Sequence, residues 1–186
     1  MRIIIIILSF LLYQTNTYSN VSFKNKFNQK YLSNYFSALL ASGNQNNEEA
    51  LKFFRSSKFL IKKHDNFLKE YVFSLVLNGQ IDKAIDQIKI SKNEKNVNFF
   101  EGNLLLIIDS FKKKDFKQVS RRLNELNLSK DNGTYEFVIF NILENYNHLF
   151  LRKKIKKQDN DFGNVNLIIS SFQNCYTNSS KTESYF

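Results

Sequence analysis

Proline and tryptophan are absent from this sequence, and glycine occurs only five times. Architectures built from many short strands need glycine and proline for their turns, so their scarcity argues against a β-sandwich or barrel. Cys175 is the only cysteine. It can form neither an intramolecular disulfide nor a multi-cysteine metal site. It reads as a small core residue at the end of the apolar run around 167–172. Histidine occurs only at 64 and 148, without the HExxH spacing that sets two metal ligands on one helical face. No GxSxG elbow, phosphate-binding glycine loop or dinucleotide fingerprint occurs. Glu48, Glu49, Asp82 and Asp86 read as carboxylates near helix starts, where the N-terminal dipole favours negative charge. These absences point away from an enzyme and imply no cofactor and no metal.

Hydrophobic residues make up 42% of the chain and charged residues 24%. That is a globular balance, which argues against wholesale disorder. The net charge is +10, the electrostatic footprint of a nucleic-acid binder. Lysine supplies 22 of the 27 basic residues, and arginine stands only at 2, 55, 121, 122 and 152. Arginine is the bidentate phosphate ligand. With abundant asparagine and isoleucine, this is the drift of an A/T-rich genome, and scattered lysines read as a solvated face. No nucleic-acid partner is expected. Asn-x-Ser/Thr triplets at Asn20, Asn127, Asn132 and Asn178 are what an asparagine-rich chain produces by chance. They would matter only in a eukaryotic secretory pathway.

The N-terminus has the pattern of an export signal. Arg2 supplies a positive start, and Ile3–Tyr13 is an apolar run. A membrane-spanning helix needs about 20 apolar residues, so this shorter run has the length of a signal-peptide core. Thr17 and Ser19 are small enough to flank a cleavage site after Ser19. No cysteine follows the run, so a cleaved signal peptide is expected over a lipoprotein anchor. An uncleaved membrane-surface segment is the alternative. The expected organisation is a signal peptide over 1–19, a linker over 20–30, a helical domain over 31–176 and a final segment over 177–186. In that segment Ser180 and Glu183 have capping-box spacing, which announces a further helix; a frayed tail is the alternative.

Self-similarity organises the middle of the chain. The segments EEALKFFRSSKFL, DKAIDQIKISKNE and FKQVSRRLNELNL align so that Ala50, Ala84 and Val119 coincide, 34 and 35 residues apart. Phe54, Ile88 and Leu123 coincide with the same spacing. Breaks precede each segment at Ser42-Gly43, Asn78-Gly79 and Lys114-Asp115, and apolar helical stretches precede the breaks. The pattern is a helix–turn–helix unit used three times. A small residue lets two helices cross closely, and a large residue four positions on fills the next groove. Gly79 can supply the left-handed residue that ends a helix, and Phe116 packs where the second helix begins. Asp65-Asn66 reads as the cap of the helix that follows. Residues 134–150 continue as a helical stripe through Tyr135, Val138, Ile139, Ile142, Leu143 and Tyr146, with 165–176 as its partner helix. Arg152, Lys153, Lys156 and Lys157 read as a solvated helix end that suits the dipole; an anionic-surface contact is the alternative.

Leu68, Tyr71, Val72, Leu75, Gly79, Ala84 and Ile88 resemble the tetratricopeptide repeat, over about residues 31–127. The tryptophan and closing proline of that family are absent. The first unit's turn, Gly43–Asn47, is two residues too long, and Lys114 and Val119 replace the glycine and alanine of the third unit. The resemblance implies an all-α fold, a right-handed α-solenoid of antiparallel helix pairs with three to four repeats. It implies a concave groove lined by Asn66, Lys69, Phe73 and Val76 from the second unit and Glu101, Leu104, Ile108 and Phe111 from the third. Phe73, Ile108 and Phe111 also fit as core between repeats. The function implied is a non-catalytic scaffold of the cell envelope or periplasm that recognises a peptide or protein helix, with peripheral membrane association as a further option. The rivals are the helical portion of a larger envelope enzyme or assembly factor, and a basic RNA-binding repeat protein.

Overall fold

A computed structural model describes residues 29–92, 98–126, 134–157, 160–180 and 182. The segment 1–19, most of the 20–30 linker, Asn20, Asn127, Asn132 and Glu183 lie outside the described residues. Among the described residues the chain is all-helical, with eight α-helices, one 3-10 turn and no strand. The helices are α1 Gln29–Gly43, α2 Asn47–Ser56, α3 Phe67–Leu77, α4 Ile81–Ile90, α5 Phe100–Lys112, α6 Phe116–Glu125, α7 Tyr135–Arg152 and α8 Asn164–Tyr176. The 3-10 turn, Lys58–Lys62, links α2 to α3.

The turns inside the first three helix pairs are one structure. Gln45, Gly79 and Lys114 all adopt left-handed backbone, with φ of 60°, 69° and 57°. After α1, the amide of Asn46 donates to Ala41 O at 2.9 Å and that of Gln45 to Ser42 O at 3.0 Å. The same two bonds join Gln80 to Leu75 and Gly79 to Val76, then Asp115 to Ser110 and Lys114 to Phe111. This is the Schellman stop, which satisfies carbonyls left over at a helix end. It corrects the sequence expectation for the first unit. Gly43 is the last residue of α1, and the break belongs to Gln45, so that turn has the same length as the other two. A side chain can occupy this position at a cost of about 1–2 kcal/mol, which is why glycine marks only one of the three turns.

Burial follows the same spacing. Ala50, Ala84 and Val119 are all buried, as are Phe54, Ile88 and Leu123 four residues later. On the preceding helices the equivalent buried sets are Ala38, Val72 and Ile107, and Ala41, Leu75 and Ser110. Helix starts are capped unequally. Asn46 accepts from the amide of Glu49, and Asp115 from that of Gln118 at 3.0 Å. Asn66 stands at the cap position of α3 but makes no side-chain cap bond, contrary to its sequence signature, because its own backbone is already helical.

Consecutive helices pack on one another from α1 through α7. Asn34, early in α1, donates to Ser56 at the end of α2 at 2.9 Å, which makes that pair antiparallel. One apolar core runs through α1 to α4 and ends on Leu106 of α5. A second is built from Ile107, Val119 and Leu123, with Phe140 and Leu143 of α7 packed against it. Adjacent residues of α5 therefore serve different cores.

The last two helices depart from their apolar patterns. The stripe expected on α7 is half-buried, Tyr135 is exposed, and the fully buried positions are Asn145, Asn147 and Leu149. On α8, Ile169, Gln173 and Asn174 are buried, while Leu167, Ile168, Phe172 and Tyr176 are exposed. Cys175, expected in the core, is exposed as well. The rings of Phe172 and Tyr176 meet Tyr146 and Phe150 along their edges, in that order, so α8 runs parallel to α7 and is not the antiparallel partner that the repeat pattern implied.

Candidate functional site

The groove forms where α3 and α5 face each other across α4. Val72, Phe73 and Val76 stand on α3, one helical turn or less apart, and form one wall. Leu104, Leu105 and Ile108 of α5 form the other, with Phe99 and Glu101 at its start. The cavity between them is about 140 Å³ and its walls are apolar. Small-molecule sites begin at about 300 Å³, so this one suits a single apolar side chain. Phe73 and Ile108, 43% and 50% exposed, leave the groove open to solvent.

Of the eight residues expected in a groove, Phe73, Val76, Glu101, Leu104 and Ile108 line this cavity together. Lys69 sits at its rim, where its ammonium meets the Glu101 carboxylate at 2.8 Å. Asn66 is exposed at the start of α3 and belongs to no wall. Phe111 is placed elsewhere. It packs edge-on against Phe116 and Phe150, at ring separations of 6.3 and 6.1 Å, and joins the second core. Helical period does not separate it, since 104, 108 and 111 share a face; Phe111 lies a turn further along α5, where the rings of Phe116 and Phe150 stand beside it.

Val72, Phe99 and Leu105 complete the walls and were not foreseen. Phe99 had a signal in its neighbour three positions on. Gly102 lies inside α5, where a glycine weakens a helix. A Cβ there would come within 2.6 Å of the Phe99 ring, so the missing side chain is what lets the ring lie across the helix.

The Lys69–Glu101 pair joins the two walls. Its hydrogen bond to Glu101 raises the Lys69 pKa above the usual range. Burial pushes the Glu101 carboxyl up, but the hydrogen bond from Lys69, a backbone hydrogen bond and the Lys69 charge together outweigh it and hold the group below the usual range. Both groups stay charged at neutral pH, and a polar handle stands beside an apolar floor.

Two other concavities are less suited to recognition of a helix. A larger one, about 800 Å³, is an open cleft along α2, where Arg55 already donates to Gln80 at 2.6 Å. A cavity of about 230 Å³ between α6 and α7 contains the Glu144–Lys156 ion pair at 2.8 Å and Asn147, whose amide donates to Ser120 at 2.7 Å. His64 packs against the Tyr35 ring at 4.8 Å, and the Nδ1 atom of His148 lies 3.1 Å from Lys154 O. Among the described residues, no group of three His, Cys, Asp or Glu could hold a metal ion. No described helix is long and apolar enough to cross a membrane. No family model, curated protein or solved structure matches the chain.

Proposed function

We propose that this protein is a non-catalytic, exported scaffold of the cell envelope that binds a protein or peptide helix in the α3–α5 groove. In this reading its first three helix pairs stack as a right-handed α-solenoid of tetratricopeptide type, each pair covering the apolar face of the next. The single observation that carries it is the groove itself: apolar walls from two first helices, open to solvent, with one ion pair on the rim. Recognition of an amphipathic helix needs an apolar floor for its anchors and a few polar handles for orientation. The three equivalent turns support the repeat reading.

The test is a photoactivatable residue at position 108, introduced in cells, with position 86 on exposed α4 surface as the control. A protein adduct at 108, absent at 86 and lost when Phe73→Asp is added, is the expected result. Equal labelling at both positions, or labelling indifferent to Phe73→Asp, would remove the groove from the mechanism.

A further inference from the structure

The side of α7 that turns toward α6 carries an ordered set of groups. Phe116 of α6 stacks on Phe150 of α7 at 5.2 Å, Ser120 meets Asn147, and Leu123 shares its core with Phe140, so the two helices run antiparallel. Positions 140, 144, 147, 148, 151 and 152 of α7 line the cavity of about 230 Å³ between them. Spacing by three and four puts these positions on one side of the helix. Along that side the chemistry changes in one direction. The Phe140 ring comes first, the acceptors Glu144 and Asn147 next, and the Arg152 guanidinium last. Leu123 of α6 stands at the Phe140 end.

Three of these groups have bonding capacity to spare. Asn147 is 5% exposed and donates its amide to Ser120 Oγ at 2.7 Å. Ser120 spends its own hydrogen on Phe116 O at 3.2 Å, so its oxygen must accept, which fixes the Asn147 amide with Oδ1 away from Ser120. No described residue donates to that Oδ1. Buried acceptors without a donor are rare, and each calls for a partner. One oxygen of Glu144 receives Lys156 at 2.8 Å, and no described residue donates to the other. Arg152 makes no hydrogen bond or ion pair with a described residue. The chain itself closes this end of the cavity. Lys153 adopts left-handed backbone and turns the chain back along α7, where His148 donates from Nδ1 to Lys154 O at 3.1 Å and Lys156 reaches Glu144.

We infer that this cavity binds a free apolar amino acid. The ligand's side chain lies against Phe140 and Leu123, its ammonium donates to Asn147 Oδ1 and Glu144, and its carboxylate takes a bidentate pair from Arg152. The order of these groups along α7 is the order of side chain, ammonium and carboxylate in such a molecule. Size agrees. At the ~30 Å³ that a water fills, the cavity holds about eight heavy atoms, the size of valine or leucine. Charge agrees as well. Lys156 is balanced by Glu144, so Arg152 is the uncompensated charge on the wall, which fits one carboxylate and not a doubly charged phosphate. A plain fatty acid would leave Asn147 Oδ1 unpaired, and a plain amine would leave Arg152 unpaired.

The experiment is calorimetric titration of the full chain with leucine, valine, leucinamide and isocaproate. Leucinamide lacks the carboxylate, and isocaproate lacks the ammonium. Leucine and valine should bind with dissociation constants on the order of a millimolar or below. Each analogue should bind on the order of tenfold more weakly than leucine. Arg152→Gln should lose on the order of tenfold to 100-fold, because it removes a charge-assisted pair. Lys157→Gln removes an exposed cation outside the cavity lining and should bind leucine as the wild type does. Arg152 is exposed too, so both variants should keep the wild-type melting temperature. The α3–α5 groove plays no part, and Phe73→Asp should leave leucine binding unchanged; a loss there would move the site to the groove and overturn the inference. If neither leucine nor valine binds, the inference fails. Equal binding of leucine and leucinamide, or a folded Arg152→Gln that binds like wild type, would remove Arg152 from recognition and overturn it. Isocaproate that binds as tightly as leucine would overturn it in favour of a plain carboxylate.

Discussion

Glycine occupies only one of three positions that need the same left-handed backbone. The turn is held by two backbone hydrogen bonds in each unit, and Gln45 and Lys114 make them with β-carbons present. Two substitutions therefore have opposite signs. A Cβ at Gly79 would meet nothing within 4 Å. Gly79→Ala should therefore lose about 1–2 kcal/mol from backbone strain alone. Lys114→Gly should gain roughly 0.5–1 kcal/mol by relieving the same strain, less the added freedom of the unfolded chain. Denaturant unfolding of both variants checks this, and a loss of stability in Lys114→Gly would contradict the turn geometry. Ala84 tests the crossing itself, because it is fully buried between helices. Ala84→Leu should overpack the contact and cost on the order of 1–3 kcal/mol. An unchanged melting temperature would mean that the helices do not cross there.

Between helices, the most testable connection is the ion pair joining α3 to α5. The side chains of Lys69 and Glu101 are 40% and 31% exposed. Water therefore screens them, and the pair is worth less than about 1 kcal/mol. The pKa of Glu101 is depressed. Its contribution is present above the unfolded carboxyl value of about 4.3 and is lost as pH falls through the folded value. The pKa of Lys69 is raised. Its share is present below about 10.4 and is lost as pH rises through the folded value. Melting curves of wild type and Glu101→Gln should differ slightly at neutral pH and converge in acid below about pH 4. A gap that persists in acid would mean that Glu101 acts through packing and not through charge. The aromatic connection between α7 and α8 works by a different route. Phe150 touches Phe116 and Tyr146 as well as Tyr176, with ring separations of 5.2, 6.3 and 5.3 Å. It is the pivot that joins the last helix to the second core.

Across the whole molecule, contacts run mainly between consecutive helices, and stability should follow that order. Helix α3 has α2, α4 and the 3-10 turn around it, whereas α8 rests narrowly on α7. Hydrogen exchange should therefore release the α8 amides well before those of α3 and α4. Uniform protection along the chain would mean a single cooperative core. The export expectation also belongs to this scale. Sequencing of the protein recovered from cells should begin at Asn20, and an intact Met1 would refute a cleaved signal.

Much of this was legible in the residues, because local rules carry it. The all-helical composition, the 34- and 35-residue spacing and the buried small-and-large pairs at 50 and 54, 84 and 88, and 119 and 123 follow from helical periodicity. Five of the eight residues expected in a groove line one cavity for the same reason, since 73 and 76 share a face, as do 101, 104 and 108. Tertiary structure decided the rest. Phe111 joined a core because Phe116 and Phe150 arrive beside it from other helices. Gln45, and not the nearby Gly43, took the left-handed turn, because the buried positions of α1 and α2 set where the chain must reverse. The outward face of α8 followed from where α7 meets it, and that meeting depends on rings far apart in sequence. Periodicity says that a helix has an apolar face; only packing against a neighbour says which face is covered.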